Sequence, residues 1–101
     1  MDIKLCRKGS CLSVKLCGEL DHHTAPMLRK KLDDAIKNDD IQTMVMDLKE
    51  LGFMDSSGIG LIIGRYKQLK KRGGAIYVKN VCPQTDKLLQ VSGMYQILRK
   101  K

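Results

Sequence analysis

The hydrophobic pattern of this chain changes period again and again, and that alternation narrows the fold more than any other feature. Residues 3–7 and 11–17 are short runs on either side of Gly9 and Ser10. In the second run Leu12, Val14 and Leu16 recur at every other position, as in a strand with one buried side. Together the two runs predict a hairpin. A helical period follows. Leu28, Lys31, Leu32, Ala35 and Ile36 fall at i, i+3, i+4, i+7 and i+8, so the aliphatic members form a core stripe while Arg29, Lys30, Asp33 and Asp34 face water. Residues 18–23 read as a loop, Thr24 as the helix N-cap, Pro26 as a first-turn proline, and Asn38, Asp39 and Asp40 as the stop.

The alternation then repeats. Residues 43–48 form a short, mostly apolar run between two helical patterns, which predicts a central strand, with residues 51–55 as the connection that follows. A second helix is expected from Ser56 to about Arg72, with Ile59, Ile62, Ile63, Tyr66 and Leu69 on its apolar face and its Lys and Arg residues in water. Gly60 and Gly64 inside it suggest close packing on the sheet, because glycine weakens a helix interior. Gly73 and Gly74 end it. Residues 75–79 are the next strand. Pro83 opens a short third helix with Leu88, Leu89 and Val91 inward, Ser92 and Gly93 stop it, and residues 96–99 make a last strand. The order β-β-α-β-α-β-α-β implies right-handed crossovers. The expected fold is α/β: one domain over residues 1–101, a four- to five-stranded mixed sheet with helices stacked against it.

Composition excludes several classes. At 43% hydrophobic residues the chain is not disordered. No apolar run approaches the roughly 20 residues that span a bilayer, and the first residues lack a signal peptide's apolar stretch, so a cytoplasmic protein without membrane contact is expected. Cys6, Cys11, Cys17 and Cys82 form no Cys-x-x-Cys pair, which argues against a metal site and leaves them as small buried or half-buried hydrophobes. The scattered methionines read as core filler. The formal net charge of +8 admits nucleic acid, an acidic protein partner or a solvated surface. The few aromatic residues do not interleave with basic ones as a base-stacking platform would, so direct nucleic-acid binding is not expected.

One segment carries chemistry. Asp55, Ser56 and Ser57 stand at a strand-to-helix junction, followed by Gly58, Ile59, Gly60 and Leu61. A helix start has unpaired N–H groups and a partial positive charge, so it accommodates a phosphate formed on a serine there. The plainer reading makes Asp55 an N-cap and the serines mere helix starters. Gly-x-Ser-x-Gly is absent, and nothing places an acid and an oxyanion hole beside His22 or His23, which disfavours a hydrolase. Phosphate-binding glycine loops are also absent. His22 and His23 read as loop contacts rather than metal ligands.

The stretch from Met54 through Asp55, Ser56, Ser57, Gly58, Ile59, Gly60 and Leu61 to Lys67 resembles the signature of bacterial anti-sigma factor antagonists of the STAS type. The stretch from Gly18 through Asp21, His22, His23 and Thr24 resembles that family's first loop, and the paired histidines are more like its sporulation branch, which acts on sigma-F, than its general-stress branch. The resemblance implies a binding protein with no catalysis and no cofactor, monomeric when free. Its unphosphorylated form would hold an anti-sigma factor that is also a serine kinase, releasing a sigma factor. The kinase would phosphorylate Ser56 to end the contact, and a separate serine phosphatase would reverse it. Asp21, His22, His23, Thr24, Asp55, Ser57, Gly58, Ile59, Gly60 and Leu61 would form the partner surface. The resemblance also implies a further helix after the last strand, which residues 1–101 do not supply. The alternative within the same fold is a small-ligand or nucleotide-sensing domain.

Overall fold

The computed structural model describes residues 1–37 and 40–101. Its elements run β1 (Asp2–Lys8), β2 (Cys11–Leu20), α1 (Ala25–Ile36), β3 (Thr43–Met54), α2 (Ser56–Lys70), β4 (Ala75–Lys79), α3 (Pro83–Val91), a single 3-10 turn (Met94–Gln96) and β5 (Leu98–Lys100). The five strands form one sheet in chain order, β1 antiparallel to β2 and all others parallel. The expected mixed sheet and element order are therefore observed.

Each parallel step crosses through a helix in the same sense, so all three helices lie on one face. Leu12, Val14 and Leu16 of β2, Met44 and Met46 of β3, and Ile76 and Val78 of β4 join Leu28, Leu32, Leu61, Ile62, Leu69 and Leu89 of the helices in a single core. Among the described residues no helix covers the opposite face. Val45 points there, buried but outside that core.

The sequence reading needs several corrections. Residues 51–55 are not a connection, because β3 continues to Met54. Two register shifts against β2, between Lys15 and Cys17 and between Gly18 and Glu19, give β3 extra residues. Its inward residues there become Leu48, Leu51 and Met54, every third rather than every second, which hides the strand period. For the same reason residues 18–20 belong to β2 rather than to a loop, and Gly18 takes φ +114 where the ladder slips.

The inner face of α2 is Gly58, Leu61, Ile62, Arg65 and Leu69, turned from the predicted stripe so that Ile59, Ile63 and Tyr66 are half-buried. Gly60 and Gly64 do not approach the sheet, since a Cβ at either would meet nothing within 4 Å. The close approach belongs to Gly58, where a Cβ would lie 2.5 Å from Met54 Cγ and 3.0 Å from Leu20 Cδ2. Arg65 is buried, not solvated, and its Nε lies 3.1 Å from Asp33 Oδ1. Asp33 is accordingly half-buried rather than fully in water. Lys31 is exposed on α1.

On α3, Val91 is 78% exposed and Thr85 takes the inward place beside Leu89. The final strand starts at Leu98, later than expected, because Met94–Gln96 coil into the 3-10 turn. Cys6 is exposed, while Cys11, Cys17 and Cys82 are half-buried, and all four are free thiols. Helix α1 ends at Ile36; of its expected stop, Asn38 and Asp39 lie outside the described residues. Among the described residues no helix is long and apolar enough to cross a membrane.

Candidate functional site at the Asp21 and Asp55 helix starts

Strands β2 and β3 run parallel, so they deliver their carboxyl ends to the same edge of the sheet. Leu20 pairs with Met54 as the last rung, and the N–H of Asp55 donates to the carbonyl of Leu20 at 3.2 Å. The chain leaves β2 into the Asp21 turn and α1, and leaves β3 directly into α2. Two helix starts are thus placed side by side by the sheet itself.

Aspartate caps both starts. Asp55 has extended backbone, and its Oδ1 accepts from the N–H of Ser57 at 2.8 Å, the N-cap arrangement the sequence suggested. At α1 the capping differs from expectation. Thr24 caps nothing with its side chain and has helical dihedrals. Instead Asp21 Oδ1 accepts from the N–H groups of His23 (2.9 Å) and Thr24 (3.1 Å), while Thr24 Oγ1 accepts from the N–H of Asp21 (3.0 Å) and donates to the carbonyl of Glu19 (2.9 Å). This reciprocal pair is a capping box, written in the sequence as Asp-x-x-Thr and missed there because Thr24 was read alone. The Thr24 N–H, ahead of that of His23, holds the Asp21 carboxyl below the usual carboxylate range, against the opposing effect of desolvation.

Ser56 is the first residue of α2 and is exposed, whereas Ser57 is half-buried. Of the two adjacent serines, Ser56 is the more exposed. His22 and His23 are exposed, with ring centroids 3.9 Å apart. Ile59 is half-buried and Gly60 exposed. Leu61 and Gly58 are buried, so of the residues expected to touch a partner these two underpin the surface rather than form it. Two exposed apolar side chains were missed: Met27 in the first turn of α1 and Phe53 opposite Glu19, each 37% exposed. Phe53 was hidden by its place in a supposed connection, and Met27 by the general reading of methionine as filler. The edge therefore combines an exposed hydroxyl, two carboxylates locked by backbone N–H groups, two adjacent, mutually tilted imidazoles and exposed apolar area. It can bind a protein and can accept a phosphate. Charge placed on Ser56 stands next to the Asp55 carboxylate.

The family model for the STAS domain matches residues 2–100. The anti-sigma F factor antagonist of Paenibacillus polymyxa is 43% identical over 98 residues, covering 97% of this chain and 84% of that protein. The solved structure of the anti-sigma factor antagonist SpoIIAA in its unphosphorylated form superposes with a TM-score of 0.88 at 32% identity, covering 99% of this chain and 88% of that one. The phosphorylated form of SpoIIAA from Bacillus gives a TM-score of 0.79 at 32% identity, covering 99% and 91%.

Proposed function

Because the chain belongs to the STAS domain family, we propose that it is an anti-sigma factor antagonist switched by phosphorylation of Ser56. The unphosphorylated protein binds an anti-sigma factor and frees the sigma factor for transcription, in a sporulation-type circuit. The anti-sigma factor is itself the serine kinase that ends the contact, and a serine phosphatase restores it. The chain works by binding, not by catalysis.

The observation that carries this reading is the exposure of Ser56 at the start of α2, directly after the cap Asp55. A phosphoserine adds about −1.5 to −2 charge near neutral pH. One added like-charge pair with an acidic group of the partner at about 7 Å, with an effective dielectric near 20, opposes binding by about 2 kcal/mol. Desolvating the phosphate at an interface adds to this. A total of about 3–4 kcal/mol weakens a complex a few hundred-fold.

The test is mass spectrometry of the chain after incubation with its anti-sigma factor and ATP. One phosphate on Ser56 is expected, and Ser56→Ala should take up none while still binding the anti-sigma factor. Incorporation lost in Ser57→Ala and kept in Ser56→Ala would move the switch to the neighbouring hydroxyl. Saturable nucleotide binding by the isolated chain, lost on changing Asp21, would favour the ligand-sensing alternative instead.

A further inference from the structure

Strand β1 closes one side of the sheet. Its inner neighbour is β2, and among the described residues no strand pairs along its outer edge. In an antiparallel pair only alternate residues turn their N–H and C=O toward the neighbour, so the others in β1 direct theirs outward. Edges that stay unpaired are commonly short, bulged or interrupted by proline. β1 runs for seven residues without proline and keeps an unbroken register, from Asp2 opposite Cys17 to Lys8 opposite Cys11. Every residue in it but Ile3 is exposed, and Leu5 is 40% exposed.

The side chains along this edge sort by face. Ile3, Leu5 and Arg7 stand opposite Leu16, Val14 and Leu12, so they share the helix-covered face. Arg7 is already held by Asp40 and by the carbonyl of Gly9, which leaves Ile3 and Leu5 as apolar area. Asp2, Lys4, Cys6 and Lys8 share the other face. Lys15 on that face is tied to Glu50 at 3.4 Å, but among the described residues Lys4 and Lys8 enter no ion pair. They are four residues apart, on one side of the strand, with Cys6 and no carboxylate between them along β1.

Lysines on an edge deter a strand of like charge and admit one of opposite charge. A second copy of the chain fits poorly, because β1 carries Lys4, Arg7 and Lys8 against Asp2 alone. We propose that the outer edge of β1 is a second docking surface, separate from the Ser56 edge, where an extended acidic segment of a partner protein adds antiparallel as a sixth strand. Its carboxylates, four residues apart and so on one face, meet Lys8 and Lys4. Apolar side chains on its other face cover Leu5 and Ile3. The backbone of β1 supplies the hydrogen bonds, and these alternating side chains set the choice of segment.

The test is a titration of the ¹⁵N-labelled full chain with the end-capped peptide Glu-Thr-Thr-Val-Glu-Val-Thr. In antiparallel register its glutamates fall opposite Lys8 and Lys4 and its valines opposite Leu5 and Ile3. Amide shifts are expected at residues 3–8, with slowed hydrogen exchange at alternate amides among them and residues 56–60 unmoved. Combined Lys4→Glu and Lys8→Glu should weaken binding about tenfold. Lys70→Glu with Lys87→Glu, an equal charge change at exposed positions of α2 and α3, should weaken it no more than about twofold. Neither pair should alter Ser56 phosphorylation, so failure here leaves the proposed function standing. N-methylation of the odd or of the even peptide positions should abolish binding for one set and spare it for the other, because only alternate N–H groups face β1. No shift in β1 at millimolar peptide, equal binding of the glutamine version, shifts centred on Ser56, equal losses in the two charge pairs, or unslowed exchange along β1 would each overturn the proposal. So would β1 shifts that follow the concentration of the chain alone, which would assign the edge to a second copy.

Discussion

The N–H of Asp55 donates to the carbonyl of Leu20 across 3.2 Å, tying the end of β3 to the end of β2 just before each chain segment turns into its helix. Through this bond the Asp21 capping box and the Asp55 cap belong to one rigid edge. A partner reading the Asp21 loop and Ser56 together meets a preformed surface, which lowers the ordering cost of binding.

The cap at Asp55 makes a separable prediction. Asp55→Ala removes the acceptor of the Ser57 N–H and should destabilise the fold by about 1 kcal/mol, while Asp55→Asn retains an acceptor and should cost less. Urea denaturation midpoints give the order. Equal stability of Asp55→Ala and the parent chain would show that the cap does not hold the helix start.

Glycines of α2 should split by environment. Gly58→Ala places a Cβ 2.5 Å from Met54 Cγ, in a buried spot, and should cost about 1–3 kcal/mol. Gly64→Ala meets nothing within 4 Å and should stabilise by about 0.5–1 kcal/mol through helix propensity. Thermal melts of both variants are sufficient. The reverse order would mean that α2 seats on the sheet through Gly64, as the sequence pattern had suggested.

What was legible in the sequence follows from where the periods were clean. The stripe Leu28, Leu32 and Ile36 and the alternation Leu12, Val14 and Leu16 are buried as read. Asp55 as a cap followed from residue type and place. The end of β3 was illegible, because two register shifts spread Leu48, Leu51 and Met54 to a spacing of three. Arg65 misled because a charged residue on a helix is normally solvated; only the packing of α1 against α2 shows that its guanidinium is enclosed. The open sheet face could not be found from spacing either, since it depends on which strands lie side by side.

That enclosed arginine gives the next prediction. Arg65 keeps 8% of its side-chain exposure and Asp33 keeps 41%. Burial lowers the Arg65 pKa, and Asp33 opposes this. Removing only the carboxylate strands a buried charge, whereas removing the charge itself does not. Asp33→Ala should therefore cost more than Arg65→Met, about 1–2 kcal/mol after allowing for the exposure of Asp33. Denaturant titration of both variants checks the order; a larger loss for Arg65→Met would assign the site to hydrogen-bonded stability instead.

The last prediction concerns pH. The Tyr95 hydroxyl donates to Asp86 Oδ1, which Lys100 Nζ also approaches at 3.1 Å. Desolvation, then the bond to Asp86, pushes the Tyr95 pKa up, while the Tyr95 hydroxyl, followed by Lys100, holds Asp86 down. A group raised in the folded state contributes stability below its unfolded pKa, about 10 for a phenol, and loses it as pH rises. A group lowered in the folded state contributes above its unfolded pKa and loses it as pH falls. The pair thus supports the fold across the neutral range and fails at both extremes. Phenolate absorbance should show one tyrosine protonated well above pH 10, and Tyr95→Phe should abolish that component. Asp86→Asn should lower it only in part, because desolvation is the larger cause. Retention of the late component in Tyr95→Phe would assign it to another tyrosine and remove this contact from the alkaline stability of the sheet edge at β5.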